Sequence, residues 1–456
     1  MFQFKKTLLC VSLLALGAGV QSTLAAVSAD EAAKLKATLT PLGGEKAGNK
    51  DGTIPAWTGG QSSAVAGPKV GDIPVNLFPN EKPLLQITAA NMAQHADKLS
   101  EGTQALLKKY PDTFRVDVYP THRTATVPEH VAANTFKNAT ECKTIEGGNS
   151  VEGCFGGLPF PIPQTGAEVV WNYLLRVEPE SIEFGFKNIV GSSDGNHTLA
   201  TRNDNFFQHP YNYKDGSWES WSKDGKGEYF LQRFSTTAPS FKVGESLVIR
   251  DSIDPKTPRQ AWQYLVGQRR VRRAPTVAYD TPDFVASGAN YFDEVQGFFG
   301  HPDRYEWKLV GKREMYVPYN NNELVTAKVA DAYDKFHLNP AKVRWELHRV
   351  WEVEGTVVSG KRHAVPKRKY YFDEDTGLMV LMDGYDAEGK LWRTSQMPNF
   401  FVPAVPALLV KQVTVFNLQA GTMSTVQGLN DETYRVVPRK PETFFTGDAV
   451  AADAAR

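Results

Sequence analysis

Apolar and polar residues alternate with period two through two long stretches of the chain. In 305–317 the odd positions are Tyr305, Trp307, Leu309, Gly311, Arg313, Met315 and Val317, and the even positions include Glu306, Lys308, Lys312 and Glu314. In 344–355 the odd positions include Trp345, Leu347, Arg349, Trp351 and Val353, and the even ones Arg344, Glu346, His348, Glu352 and Glu354. Such alternation predicts strands with one buried and one wet face. It places Arg313 and Arg349 together on the apolar face. An arginine there needs an anion, because a buried unpaired charge is costly.

The same pattern predicts strands at 182–190, 198–203, 228–234, 246–251, 261–266, 269–273, 367–373, 379–385 and 390–394. Hairpin-type turns join several of them, at Gly267, 373–377 and 386–389. Strands joined by short turns are antiparallel neighbours. Strand and helix do not alternate repeatedly, which argues against a doubly wound parallel sheet. Helical spacing occupies 28–39, with Ser28 or Asp30 as cap, and 88–109, where Met92, Ala96, Leu99, Leu106 and Leu107 form a stripe that Pro111 closes. A third helix is expected at 166–175 and a strand at 116–126. The Gly- and Pro-rich stretch 41–83 is expected to run extended over the surface. The class is therefore α+β: one large curved antiparallel β-sheet with helices on its concave side. A single domain is expected over 26–456, opening with a helical and extended segment at about 26–115.

Residues 1–25 read as a secretory signal peptide. Lys5 and Lys6 precede an apolar run at 7–20, and Thr23 and Ala25 fit cleavage after Ala25. The run is too short and wrongly flanked for a membrane span. Cys10 makes a weak lipoprotein cysteine, because Leu9 before it is too large and the apolar run continues past it. Of the 51 basic residues, Lys5 and Lys6 belong to this segment, leaving 49 against 51 acidic ones. That balance argues against a nucleic-acid binder. Cys142 and Cys154 remain, and in an oxidising compartment so close a pair is expected to form a disulfide. It would contribute roughly 3 kcal/mol in the chain-entropy model. Two free thiols are the alternative.

The sequence carries no GxSxG elbow, HExxH, P-loop or GxGxxG after a strand. The nine histidines form no i,i+4 pair, so no catalytic residue, metal ligand or cofactor is expected. Asp293-Glu294 and Asp373-Glu374 sit in turn-like contexts and read as solvated loop charges. Two basic clusters stand out, Arg269, Arg270, Arg272 and Arg273, and Lys361, Arg362, His363, Lys367, Arg368 and Lys369. Each fits either a solvated edge strand protected by charge or a site for an anionic partner such as a phospholipid headgroup, a membrane surface or an acidic protein. The tryptophans and tyrosines of the strands read first as core. On a curved sheet, so much aromatic surface can also enclose a cavity for an acyl chain.

Five stretches carry a family resemblance: LPFPIPQTGAEVVWNYLLR (158–176), WQYLVGQRRVRRAP (262–275), YEWKLVGKREMYVPYN (305–320), VRWELHRVWEVEGT (343–356) and PKRKYYFDEDTGLMVLMDGYDAEGKLWR (366–393). They resemble domain-of-unknown-function family 1329 of the Gram-negative envelope. At greater distance the W-x-Y-L…R-R-V-R-R hairpin is similar to lipoprotein-sorting proteins of the LolA/LolB kind, which implies a half-barrel holding helices over an acyl-binding cavity. The resemblance implies a periplasmic protein, with peripheral association at the outer membrane left open, and a link to resistance-nodulation-division transporters or outer-membrane proteins. It supplies no catalytic residues. The expected function is a carrier or chaperone for a hydrophobic or amphiphilic ligand, either a lipid or a lipoprotein acyl chain. Trp307, Leu309, Met315, Trp345, Leu347 and Trp351 would meet the aliphatic part. Arg313 and Arg349 would meet a headgroup, or else form structural ion pairs with acids of the overlying helices. The alternative is a non-catalytic interaction subunit of an export complex, docked through the Arg269–Arg273 cluster. A hydrolase is the least supported reading.

Overall fold

The computed structural model describes residues 26–257 and 259–454; the expected signal peptide lies outside them. Sixteen strands form one open sheet. In chain order they are β1 (Leu85–Ile87), β2 (Val116–Val118), β3 (Ser181–Gly191), β4 (His197–Gln208), β5 (Glu228–Ala238), β6 (Ser246–Ser252), β7 (Gln260–Leu265), β8 (Arg270–Arg273), β9 (Tyr305–Pro318), β10 (Trp345–Val357), β11 (Lys367–Asp373), β12 (Met379–Tyr385), β13 (Leu391–Gln396), β14 (Val413–Asn417), β15 (Thr422–Gly428) and β16 (Tyr434–Val436). The order across the sheet is β8-β7-β6-β5-β4-β3-β15-β14-β13-β12-β11-β10-β2-β1, with β9 beside β10 and β16 beside β3. Neighbours run antiparallel, except that β2 meets β10 in parallel at Val118 and Trp345. Each strand expected between 182 and 394 is present. The one expected at 116–126 shrinks to β2, and β1, β14, β15 and β16 are additional.

The sheet is curled, and two adjacent residues prove it. Phe299 packs on Phe230 of β5 with ring centroids 5.1 Å apart, while Phe298 packs on Tyr370 of β11 at 6.1 Å. Seven steps separate β5 from β11, which at about 4.8 Å each would be about 34 Å across a flat sheet. A single loop touches both because the sheet wraps around it. The concave face is therefore filled by the connection between β8 and β9.

Ion pairs hold that connection down. Arg368 of β11 and Arg393 of β13 both pair across to Gly384 of β12, so the two guanidinium groups flank a glycine on one face. Arg368 donates to both oxygens of Asp293 at 2.8 and 3.0 Å, and Arg393 donates to both oxygens of Glu294 at 2.5 and 2.8 Å. His363 adds a bond to Asp293 at 2.9 Å; because its Nδ1 accepts from Val365 N, its Nε2 carries the donated proton. Asp293, Glu294 and Arg368 are buried. Asp293-Glu294 is thus no solvated pair, as the turn-like context suggested, but a buried latch. The second basic cluster is likewise committed: Lys361 pairs with Asp303, Lys367 with Glu354 and Lys369 with Glu101.

One β-bulge overturns the face assignment made from alternation. Leu309 pairs with Val353, but Gly311 pairs with Glu352, so Val310 is an extra residue in β9. Gly311 takes φ 146° there, a conformation that suits glycine. Before the bulge, Trp307 and Leu309 share the concave face with Val353. After it, Arg313 and Met315 stand opposite Val350 and His348, on the convex face. Arg313 and Arg349 therefore lie on opposite faces. Nor is the even face of β10 wet: Glu346 is 0% exposed, His348 1% and Val350 0%.

Helices cover both faces. The helix α1 (Ala29–Ala33) starts at a Ser28 capping box. The expected helix at 88–109 is two pieces, a 3-10 turn over Met92–Lys98 and α2 (Glu101–Lys109). Ser100 starts the second piece by accepting from Thr103 N at 3.0 Å, with Leu99 extended between them. A Cβ on Gly102 would fall 2.2 Å from Asp383 Oδ1 and 2.0 Å from Thr394 Oγ1, so the backbone of α2 rests directly on the convex face. An unforeseen helix, α3 (Glu129–Glu141), buries Thr135 and Asn138, whose bonds to Val131 O and Leu158 O replace an apolar stripe. The Cys142–Cys154 disulfide follows it. On the concave side α4 (Gly166–Leu174) packs beneath the latched connection, where Tyr173 donates to the Gln296 carbonyl. The stretch 41–83 is not merely a surface cover, since it buries Leu42, Ile54 and Ile73.

Asp293→Ala strands a buried arginine and is expected to cost about 3–5 kcal/mol in a urea titration. Asp293→Ala/Arg368→Met is expected to recover most of it. A single variant as stable as the wild type would show that the pair does not hold the connection.

Candidate functional site

The chain leaves α4 as Arg176-Val177-Glu178, and extended geometry turns residues 176 and 178 to the same side. Arg176 Nε donates to Glu178 Oε1 at 2.9 Å, and Lys411 Nζ donates to both Glu178 oxygens at 2.7 and 2.8 Å. All three side chains are buried, Lys411 completely. Burial would raise the Glu178 carboxyl, but Lys411 and Arg176 outweigh it and hold its pKa near 2. Burial pulls Lys411 down to about 8 against the pull of Glu178. His209 is pushed down to about 4, first by burial, then by the neighbouring cations. It is therefore neutral at pH 7, and its Nδ1 donates to Pro179 O at 2.7 Å. Two cations thus share one carboxylate, leaving an excess positive charge inside the protein.

A cavity of about 20 Å³ opens beside this cluster, walled by Tyr211, Tyr229, Phe230, Gln296, Phe298 and Phe299. His209 Nε2 and Gln296 Nε2 have no hydrogen-bond partner among the described residues. A second cavity, of about 30 Å³, lies under the same connection and is lined by Phe186, Phe234, Leu247, Ile249, Phe292 and Val295. Each has space for about one or two waters. Phe299 lines both cavities. Its ring is held by the Arg259 guanidinium, 3.8 Å from its centroid, and Arg259 is fixed by two 2.7 Å bonds to Asp251. Asp283 at the apolar cavity has its carboxyl raised to about 6 by burial. An apolar cavity thus meets, at Phe299, one that lies beside a buried cluster of charges. The charged groups here are locked to one another.

The residues chosen from alternation divide between the two faces of the sheet, and none of the eight lines either cavity. Trp307 and Leu309 lie on the concave face, and the Trp307 ring meets Phe298 at 5.2 Å. Trp345, Leu347, Arg349 and Trp351 share that face of β10, with Lys312 lying 5.0 Å over the Trp351 ring. Met315 and Arg313 lie on the other face. Arg313 pairs with Glu352 at 3.1 Å and donates to Asp97 O, while Arg349 donates to Ala47 O. Neither arginine lines the two cavities. The Arg313 partner comes from the neighbouring strand, not from an overlying helix. Of the first basic cluster, Arg270, Arg272 and Arg273 are exposed on β8, the end strand of the sheet. Arg269 occupies the turn before it with φ 48°.

Residues 86–451 match the family model described as "Protein of unknown function (DUF1329)". The chain belongs to the DUF1329 family. Among its relatives is the Pseudomonas aeruginosa "Uncharacterized protein PA3922", 40% identical over 432 residues, which are 94% of this chain and 93% of that one. A solved DUF1329 structure from Desulfovibrio piger overlays 60% of this chain and 92% of its own, at 15% identity and a TM-score of 0.41. A putative outer membrane lipoprotein-sorting protein domain from Vibrio parahaemolyticus overlays 63% of this chain and 98% of its own, at 11% identity and a TM-score of 0.43. A LolA superfamily protein from Nitrosomonas europaea overlays 63% of this chain and 100% of its own, at 12% identity and a TM-score of 0.37. Among the described residues of this DUF1329 protein no helix is long and apolar enough to cross a membrane.

Glu178→Gln leaves two buried cations and is expected to cost on the order of 3–5 kcal/mol. Lys411→Met leaves Glu178 paired with Arg176 and should cost less. The Glu178 contribution is present in full above its unfolded pKa of 4.5 and is lost as pH falls toward about 2. The stability gap between wild type and Glu178→Gln, read from urea titrations, should therefore narrow as pH falls from 4.5 toward about 2. The reverse order of the two variants would refute the cation excess.

Proposed function

We propose that this DUF1329 protein is a non-catalytic periplasmic carrier or chaperone for an amphiphile, a lipid or lipoprotein acyl chain with an anionic headgroup. The observation that carries this reading is the hollow of the curled sheet, plugged by one connection, under which two small cavities meet at Phe299, one apolar and one beside the buried Arg176, Glu178 and Lys411. The headgroup would meet Arg176, which lines the smaller cavity, with Lys411 supplying positive charge behind Glu178. The chain would enter only as the latched connection lifts, and would then extend along Trp307, Leu309 and Trp351. Exposing a 16-carbon chain to water costs on the order of 10 kcal/mol, so passage between membranes needs such a sleeve. Solvent extraction of protein purified from cells, followed by mass spectrometry, is expected to release lipid. A fluorescent fatty-acid analogue should bind, and Lys411→Met should weaken it more than a neutral alcohol of the same chain length. Absence of lipid together with failure of the analogue to bind would rule the carrier out.

A second reading rests on β8. Its three exposed arginines line the end of the sheet, where a strand edge is open to a partner. As an interaction subunit the protein would dock there on an acidic surface of an outer-membrane protein or a resistance-nodulation-division transporter. Arg270→Glu/Arg272→Glu should then abolish co-purification of the partner. An unchanged complex would exclude docking through this strand.

A further inference from the structure

His348 sits on the convex face of β10, and Asp373 ends the adjacent strand β11, opposite Val350. Asp375 follows in the turn to β12. Their ligand atoms lie within 4.8 Å of one another, and all three residues are buried. Among the described residues this is the one convergence of His, Cys, Asp and Glu side chains at metal spacing.

The hydrogen bonds around them leave a gap of one chemical kind. Glu346 is 0% exposed and accepts from Arg344 Nε at 2.5 Å, Asn320 Nδ2 at 2.9 Å and His122 N at 2.8 Å. It acts as an acceptor throughout, so His348 Nε2, 3.0 Å from Glu346 Oε2, carries the proton and donates it. In the neutral imidazole that leaves a lone pair on His348 Nδ1. The atom facing it is Asp373 Oδ1 at 4.0 Å. Asp373 Oδ2 already accepts from Tyr319 Oη at 3.0 Å and Thr376 Oγ1 at 2.5 Å, whereas Oδ1 is buried with no hydrogen-bond partner among the described residues. Two acceptors thus face each other across a distance too long for a hydrogen bond and close to twice a typical metal–ligand bond of about 2.0–2.2 Å.

The surroundings are built to hold that arrangement. The Tyr319 ring stacks on the imidazole at 3.7 Å, fixing its plane. Arg123 holds both Asp375 oxygens, at 2.8 and 2.6 Å, and donates to the carbonyls of Glu45, Lys46, Ala47 and Pro55. A carboxylate that receives the far N–H of a ligating histidine is the recurrent outer partner of protein metal sites, fixing the tautomer and raising ligand basicity. One imidazole and two carboxylates suit a borderline divalent ion better than calcium or magnesium, which take oxygen alone, or copper(I), which prefers sulfur.

We propose that His348, Asp373 and Asp375 form a binding site for one divalent transition-metal ion of the zinc or manganese class, with Glu346 orienting His348. Enclosed as it is, the site is structural. It joins β10, the β11–β12 turn and, through Arg123, the segment 45–55. It stands apart from the carrier reading, since it lies on the opposite face of the sheet.

Untagged full-length protein, purified without chelator, is expected to contain close to one equivalent of zinc or manganese by elemental analysis. After chelation, Co²⁺ should restore one equivalent and produce a visible d–d absorption band. Asp373→Asn should abolish both. Glu346→Gln, which leaves the three ligands in place, should weaken Co²⁺ affinity by about 10–100-fold with an unchanged circular dichroism spectrum. Wild-type protein that carries less than a tenth of an equivalent and binds neither Co²⁺, Zn²⁺ nor Mn²⁺ in calorimetry would overturn the proposal, whether or not the variants fold. So would a folded Asp373→Asn that binds Co²⁺ as tightly as the wild type.

Discussion

A sheet of sixteen strands that curls on itself leaves a hollow, and the fold depends on what fills it. Here the filling is the connection between β8 and β9, pinned where Asp293 and Glu294 meet Arg368 and Arg393. A buried ion pair adds little net stability, because desolvation offsets much of the attraction. What it fixes is position: two consecutive carboxylates find two guanidinium groups at one spot on the concave face, and Phe298 and Phe299 then fall where they bridge distant strands. The same accounting describes how the connection would move. Opened to water, the charges regain their hydration, while the apolar surfaces of Phe298 and Phe299 lose their cover. Under the proposed carrier function, an arriving acyl chain would replace the second loss and leave the first compensated.

The strands between 182 and 394, their antiparallel pairing and their hairpin turns were legible because each depends on residues close in the chain, whereas β1, β14, β15 and β16 were not. The disulfide and the α4 helix were legible for the same reason. The position of Arg313 was not. Alternation was extrapolated through Gly311 as if β9 were regular, and one inserted residue, Val310, exchanged the faces of everything after it. Nothing in the period-two pattern marks a bulge except the glycine itself. The helix α3 escaped for a different reason: its buried side carries Thr135 and Asn138, which pack by hydrogen bonding and leave no apolar stripe.

The buried charge cluster beside the smaller cavity had a signal that periodicity could not register. Lys411 is a single charge in a stretch that reads FFVPAVPALLVKQVTVF over 400–416. A lysine so placed must either leave the run for water or find a carboxylate. Its partner, Glu178, lies 233 residues away in sequence, joined to it only by the closure of β3 against β15 and β14. The convergence of His348 with Asp373 and Asp375 is hidden in the same way. Metal motifs are recognised by spacing along one helix or one turn, and these ligands meet across a strand pair.

The strand β10 ties these lessons together. Its odd residues, Trp345, Leu347, Trp351 and Val353, face the hollow, and its even residues, Glu346, His348 and Glu352, face a second buried layer beneath α2 and the N-terminal segment. In β10, apart from Arg349 and Val350, alternation reported the chemistry of each face, as apolar on one side and polar on the other. The further step, that polar means wet, holds when only one face of a sheet is covered. Where both faces are covered, the polar side must satisfy its own hydrogen bonds, and it does so with carboxylates, imidazole and guanidinium in a closed network. A strand whose polar residues are Glu, His and Arg, without the lysines that mark an open surface, therefore points to a second buried interface. In β10 the even positions carry no lysine, whereas β9, at the edge, carries Lys308 and Lys312.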